Sequence, residues 1–258
     1  MSIIKAVRNY RLISIRLASY HFNPGLVSTI VTAVLLYLMI SLGFWQLERA
    51  EYRDNLQQTI LERKSYPPAS LDTLPESKDD RRYLPVEIHG YYDSERSFLL
   101  DNRIHAGRAG YHLYTPLLLD GGTAILVNRG FIVLGADRSI LPDTAVQDQA
   151  GEQLAASRVK ITGLLDLVPL QSIRLSDYKH DSDSWPIVLQ HVDLEEIMSI
   201  TGTQFYDMIL WLDEGSIGAK KYDMPALNLN SAKNTGYAFQ WFAMSTALVV
   251  LYLVVNTR

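Results

Sequence analysis

LVSTIVTAVLLYLMISLGFWQL, residues 26–47, runs for 22 residues without an Asp, Glu, Lys or Arg. At 1.5 Å of rise per residue an α-helix of this length is about 33 Å long, enough to cross a hydrocarbon core of about 30 Å. A second uncharged run, NTGYAFQWFAMSTALVVLYLVVNT, occupies 234–257. Core helices of water-soluble domains rarely go so far without a charge, so both runs read as membrane spans. The first exceeds the 7–15 apolar residues of a signal peptide and no A-x-A site follows it, which makes it an uncleaved anchor.

Charge is distributed around these runs very unevenly. The 258 residues carry 24 Lys+Arg and 28 Asp+Glu, a formal net charge of −4. All 28 acids fall between 48 and 233, where 19 of the bases also lie, so the middle carries −9. Lys5, Arg8, Arg11 and Arg16 precede the first span and Arg258 follows the second. Positive charge stays inside, so both termini are expected in the cytoplasm and the acidic middle in the periplasm of a bacterium. The arm also resembles an organellar transit peptide, with the mitochondrial inner membrane as the alternative location. About 25 residues are too few for a presequence that leaves a mature tail. The expected organisation is a basic arm (1–25), a first span (26–47), an extracytoplasmic domain (48–233) and a second span (234–257). The acidic middle argues against a nucleic-acid partner. No cysteine is present, which excludes disulfides, thiolate metal sites and cysteine nucleophiles.

The first helix is expected to continue to residue 64 with Leu47, Leu56 and Ile60 on one face, followed by a polar linker at 65–80. Strand patterns then come at 83–92, 97–100, 111–119, 123–134, 158–168, 185–192 and 208–214. Asp120-Gly121-Gly122 is a strong hairpin turn, and Asp193 opens a short helix closed by Gly202. The fold class is therefore a membrane protein of α+β type. Two transmembrane helices flank a mainly β domain, a curved sheet or partial barrel.

No nucleophile elbow, phosphate loop or dinucleotide fingerprint occurs, and the six histidines show no metal-ligand spacing. Neither an enzyme nor a metal centre is expected; a membrane-tethered binding or assembly module is. Three segments carry candidate binding residues. In 107–131, Arg108, Tyr111, Asn128, Arg129 and Gly130 lie on an apolar hairpin. A glycine within a strand marks a bulge or close approach. Arg129 is either a structural arginine paired with a carboxylate or a guanidinium held for an anionic ligand or a partner. In 234–242, Asn234, Tyr237 and Trp241 share a helix face, while Gln240 is expected to face another helix because an unpaired amide in lipid is costly. Trp45 and Arg49 stand where the first span ends. Thr29 with Ala33, and Ala243 with Ala247, have the small-xxx-small spacing of packed membrane helices.

Leu42-Gly43-Phe44-Trp45-Gln46-Leu47-Glu48-Arg49, Gly110-Tyr111, Thr115-Pro116-Leu117, Asp120-Gly121, Leu126-Val127-Asn128-Arg129-Gly130-Phe131, Val159-Lys160-Ile161-Thr162-Gly163, Trp185-Pro186 with Gln190 and Asp193, and Tyr237-Ala238-Phe239-Gln240-Trp241-Phe242 follow one another along the chain. Taken together and in this order they resemble the Surfeit locus protein 1 family of cytochrome c oxidase assembly factors. The resemblance implies a non-catalytic role in maturing oxidase subunit I near haem a insertion. Subunit I, other assembly factors and membrane lipid are the implied partners. The alternative is a permanent structural accessory subunit of a respiratory oxidase. Some bacterial members are thought to bind haem a through a histidine three residues before the tyrosine of the second span. Asn234 stands there in this sequence, and a carboxamide is a poor iron ligand beside imidazole. His105 and His112 are the alternative haem ligands.

Overall fold

The uncharged run at 26–47 is the first part of a single helix that continues well beyond it. The computed structural model describes residues 15–17, 20–148, 152–154, 157–169, 184–220 and 229–257. Lys5, Arg8, Arg11, His180, Lys221 and Arg258 lie outside the described residues. In chain order the elements are β1 (Ile15–Leu17), β2 (Tyr20–Phe22), α1 (Leu26–Lys64), α2 (Lys78–Arg81), β3 (Pro85–Tyr92), β4 (Phe98–His105), β5 (Arg108–Leu118), β6 (Ala124–Val133), β7 (Val159–Asp166), β8 (Ile187–Leu189), α3 (Leu194–Thr201), β9 (Phe205–Leu212) and α4 (Ala232–Asn256). They form two compact units, residues 1–58 with 229–258, and residues 59–228.

In the first unit, α1 and α4 are long and apolar enough to cross a membrane, and almost none of either span is buried within the chain. That distinguishes them from the core helices of a water-soluble domain, which are mostly buried. The two helices pair antiparallel. Positions 29, 32, 36, 39, 43, 46, 50, 53 and 57 of α1 are less exposed than most of their neighbours, as are 234, 238, 241, 245, 248, 252 and 256 of α4. Alternating steps of three and four give a period near 3.5, the signature of left-handed coiled-coil packing. Gly43, Ala50, Ala238 and Ser245 are the buried small residues in this seam. Ala33, Ala243 and Ala247 are exposed instead, because the 3.5 repeat rotates them to the outside. The same repeat corrects the expected face of Leu47, which is exposed, while Gln46 and Ala50 turn inward. Phe242 packs edge-on against Phe44 with centroids 5.5 Å apart. Near the other end of the spans Thr29 Oγ1 and Tyr252 Oη share a hydrogen bond of 2.7 Å.

The second unit is built on a seven-stranded sheet in the order β3-β7-β9-β6-β5-β4-β8. Tyr91 and Tyr92 of β3 also pair with Leu118 and Leu117 of β5, so five strands close on themselves and β4 and β8 extend the sheet beyond β5. The partial barrel expected from the strand pattern is thus present. Alternation explains its inside. Val86, Ile88, Leu117, Ile125, Val127, Ile161, Leu165, Met208 and Leu210 form one buried cluster, contributed by all five closing strands. Residues of opposite parity on the same strands, among them Tyr114, Leu126 and Ile209, pack with Phe98, Leu100, Ile187 and Ile197 in a second cluster under β8 and α3. Burying about ten large apolar side chains in each at about 2 kcal/mol apiece supplies most of the driving force.

Two local readings change. The stretch at 65–80 is less of a free linker than its polarity suggests: Leu71 and Leu74 pack on the barrel core, and Ala69 bridges to Val86. Strand β4 runs on from the apolar 97–100 through Asp101 to His105, with a register shift between Leu100 and Arg103. The turns and caps fall where expected. Gly122 adopts φ +79° in the β5–β6 turn, Asp193 Oδ1 accepts from the amides of Glu195 and Glu196, and Gly202 ends α3 at φ +68°.

Candidate functional site

Asn128, Arg129 and Gly130 make a β-bulge. Across β5 and β6, Leu113 pairs with Gly130 and Tyr114 with Asn128, leaving Arg129 as the extra residue. Gly130 takes φ +121°, which a side chain would oppose, and Asn128 Oδ1 accepts from the Gly130 amide at 3.0 Å. The bulge turns Arg129 inward, to 1% exposure. Its Nε donates to Gly218 O (2.8 Å), Nη1 to Thr144 O (2.7 Å) and Thr115 Oγ1 (3.2 Å), and Nη2 to Ala145 O (2.9 Å). The guanidinium also lies 5.8 Å from the centre of the Tyr92 ring. Desolvation lowers its pKa to about 10, partly opposed by Tyr92 and Asp143, so it remains charged at neutral pH. Neither expected reading fits fully: the four hydrogen bonds go to three main-chain carbonyls and a hydroxyl, not to a carboxylate or an open anion site. Arg129 is a clamp that ties the segments at 144–145 and 218 to the barrel. Asn128 and Gly130 shape the clamp.

The remaining sheet candidates divide between two faces. His112, 7% exposed, packs edge-on between Phe131 (6.3 Å) and Trp211 (5.6 Å). His105, near the end of β4, lies 5.4 Å from Phe131. Tyr111, one residue from His112, points to the opposite face beside Leu99 and Leu113, where burial raises its pKa. Arg108 is exposed at the start of β5. Burial, with the charges of Arg103 and His105, lowers the His112 pKa from 6.5 to about 4. A base depressed by folding costs stability only when the unfolded chain takes up the proton, so the cost is absent above about pH 6.5 and grows as pH falls toward 4. Between pH 7.5 and pH 5 it comes to about 2 kcal/mol. His112→Gln should therefore flatten this part of the acid limb. Thermal melts of both proteins at the two pH values check this, and parallel pH dependences would refute it.

In the helix-pair unit, Asn234 and Gln46 meet: Asn234 Nδ2 donates to Gln46 Oε1 at 2.7 Å. Position 234, to which the resemblance would assign a haem-ligating histidine, is thus one half of an interhelical amide pair. It does not fit an iron ligand. Trp241 is half-buried in the same seam, whereas Tyr237, Gln240, Trp45 and Arg49 are exposed on the outer surfaces of the pair. Gln240 therefore faces away from α1. Asn234→Ala should loosen the pair by about 1 kcal/mol, a typical value for an interhelical hydrogen bond in a membrane. Slower disulfide trapping between cysteines placed at 50 and 231 would report it, and unchanged trapping would count against the pair.

Sequence spacing did not single out His191, Asp193 and Glu196, yet the turn from β8 into α3 brings one ligand atom from each within 4.8 Å of the others. The pattern H-x-D-x-x-E was the available signal.

Compared with known proteins, residues 33–246 match the family model described as the SURF1 family. The sequence is 25% identical over 235 residues to the SURF1-like protein of Rickettsia bellii, covering 88% of this chain and 89% of that one. It is also 25% identical over 179 residues to Surfeit locus protein 1 of Gallus gallus and 24% identical over 179 residues to that of Homo sapiens. These two alignments take in 54% and 56% of the animal proteins, so this chain matches about half their length.

Proposed function

The chain belongs to the SURF1 family, and from that membership we propose that it is an assembly factor for a haem-copper cytochrome c oxidase, binding subunit I while haem a is inserted and catalysing no reaction itself. The observation that carries this reading is the family match across 33–246, which takes in most of both spans and the whole barrel. The proposed location is a bacterial inner membrane, with both termini cytoplasmic and the barrel unit in the periplasm. The excess of basic residues in the N-terminal arm supports that orientation.

Within this reading the partner surface is the outer face of the spans. Trp45, Arg49, Tyr237 and Gln240 offer aromatic and polar groups there that the helix pair does not consume. Gln240 suits a polar side chain on a subunit I helix, since an amide in lipid gains most from such a bond. Other assembly factors are proposed to approach the same complex through the barrel unit. The protein is proposed to hold subunit I without ligating haem iron at position 234, because Asn234 is bonded to Gln46.

Deleting the gene should abolish assembled oxidase and leave immature subunit I associated with other factors. Fully assembled, haem-loaded oxidase in the deletion strain would overturn the proposal, and stoichiometric co-purification with mature enzyme would favour an accessory subunit. The absorption spectrum of the protein purified from membranes that make haem a tests the scaffold reading. A haem-free protein that still brings down subunit I supports it. A stoichiometric haem a band lost in His105→Ala or His112→Ala would replace it with haem carriage by the barrel unit.

A further inference from the structure

We propose that His191, Asp193 and Glu196 form a binding site for a divalent first-row metal ion at the start of α3. The backbone sets the three groups up. Val192, 1% exposed, is pinned in the apolar cluster beneath α3, and Asp193 is extended at φ −125° and ψ 111°. His191 and Asp193 flank the buried Val192, and one ligand atom from each lies within 4.8 Å of the other and of one from Glu196. The first turn of α3, anchored by buried Ile197, then returns Glu196 over Asp193.

The His191 ring gives an independent pointer. Its Nε2 is shut off from solvent and has no hydrogen-bond partner among the described residues, while Glu196 Oε2 stands 3.9 Å away. That is too far for a hydrogen bond. It is right for two ligands of one ion, because donors each about 2.1 Å from a shared cation sit about 3–4 Å apart. The Asp193 carboxylate is held in orientation by the Glu195 and Glu196 amides, which donate to its Oδ1 at 2.9 and 3.3 Å. Such outer contacts are what fix a ligating carboxylate in place. An open groove of about 530 Å³ borders Asp193, the one of the three residues that lines it. One imidazole and two carboxylates are borderline-to-hard donors, which suit Zn²⁺, Mn²⁺ or Fe²⁺ and disfavour Cu⁺ in a chain without cysteine.

Zinc is the probe. The full-length chain, purified in detergent without a histidine tag and stripped with EDTA, should bind one Zn²⁺ by titration calorimetry. His191→Ala and Glu196→Gln should each weaken that binding at least about tenfold. Thermal melts without metal establish that each variant is folded. The wild-type chain supplies a second measurement: zinc should shift the ¹⁵N resonance of His191 Nε2 more than those of the other histidines. Absent binding, binding as strong in both variants as in the wild-type chain, or an unmoved His191 resonance would each overturn the site.

Discussion

Arg129→Ala should lower the melting temperature of the barrel unit by about 10 °C, while Arg108→Ala changes it by no more than about 2 °C. The difference follows from what each guanidinium touches. Truncating Arg129 removes the donors for Thr144 O, Ala145 O and Gly218 O, and unpaired buried carbonyls cost about 1–3 kcal/mol each. It also leaves a cavity where the side chain lay. Removing a buried charge gives back part of its desolvation cost, so the net loss is on the order of 4 kcal/mol. For a unit of this size each kcal/mol corresponds to about 2–4 °C. Arg108 is exposed and takes no part in the clamp. Arg129→Lys should recover only a fraction, because an ammonium cannot present the planar fork that reaches both segments at once. Differential scanning of the full-length variants in detergent measures all three. Equal melting temperatures for the alanine variants at 129 and 108 would show that the clamp is idle. If the reading is right, oxidase assembly in the Arg129→Ala strain should fail at high growth temperature and recover at low.

A second large effect is expected at Gly163. A Cβ on this residue of β7 would lie 2.3 Å from the carbonyl oxygen of Trp211 on the paired strand β9. A carbonyl in a sheet ladder cannot swing aside as a side chain can, so relief requires β7 and β9 to part where they help close the barrel. Gly163→Val should cost about 3 kcal/mol, at the upper end of ordinary overpacking. Two other glycines serve as internal comparisons. Gly121 has nothing within 4 Å of an added Cβ, so Gly121→Ala should be close to neutral. At Gly43 the obstacle is the Phe242 ring at 2.6 Å, which can turn, so Gly43→Ala should fall between the two. Hydrogen exchange of the β7 and β9 amides reports the first effect directly. Unchanged protection in Gly163→Val would mean that the barrel tolerates the opening.

The sequence was most legible where one physical force dominates. Uncharged length marked α1 and α4, alternation marked the strands, and Asp120-Gly121-Gly122, Asp193 and Gly202 marked a turn and two caps. The glycine at 130 correctly indicated a bulge. What stayed hidden depended on partners and not on a residue's own type or spacing. The second half of β4, DNRIH, is polar and gives no apolar run, yet it pairs with β5. Three of the four partners of Arg129 are carbonyls 15 to 89 residues away, and a carbonyl leaves no trace in the identity of its residue. The seam between α1 and α4 was misjudged for another reason. Small-xxx-small spacing is satisfied at several rotations of a helix, and only the complete 3.5 repeat selects among them.

That Arg129 reaches chiefly for peptide carbonyls bears on how such chains can diverge. Every amino acid carries the same carbonyl, so residues 144 and 145 can be exchanged freely without disturbing the grip. At Gly218 the backbone sits at φ +85°, with an added Cβ only 3.2 Å from Arg129 Nε, so that place is closed to most replacements. Descendants of one ancestral gene should therefore keep an arginine at 129 and a glycine at 218 while residues 144 and 145 vary. Two letters nearly ninety places apart would be inherited as one.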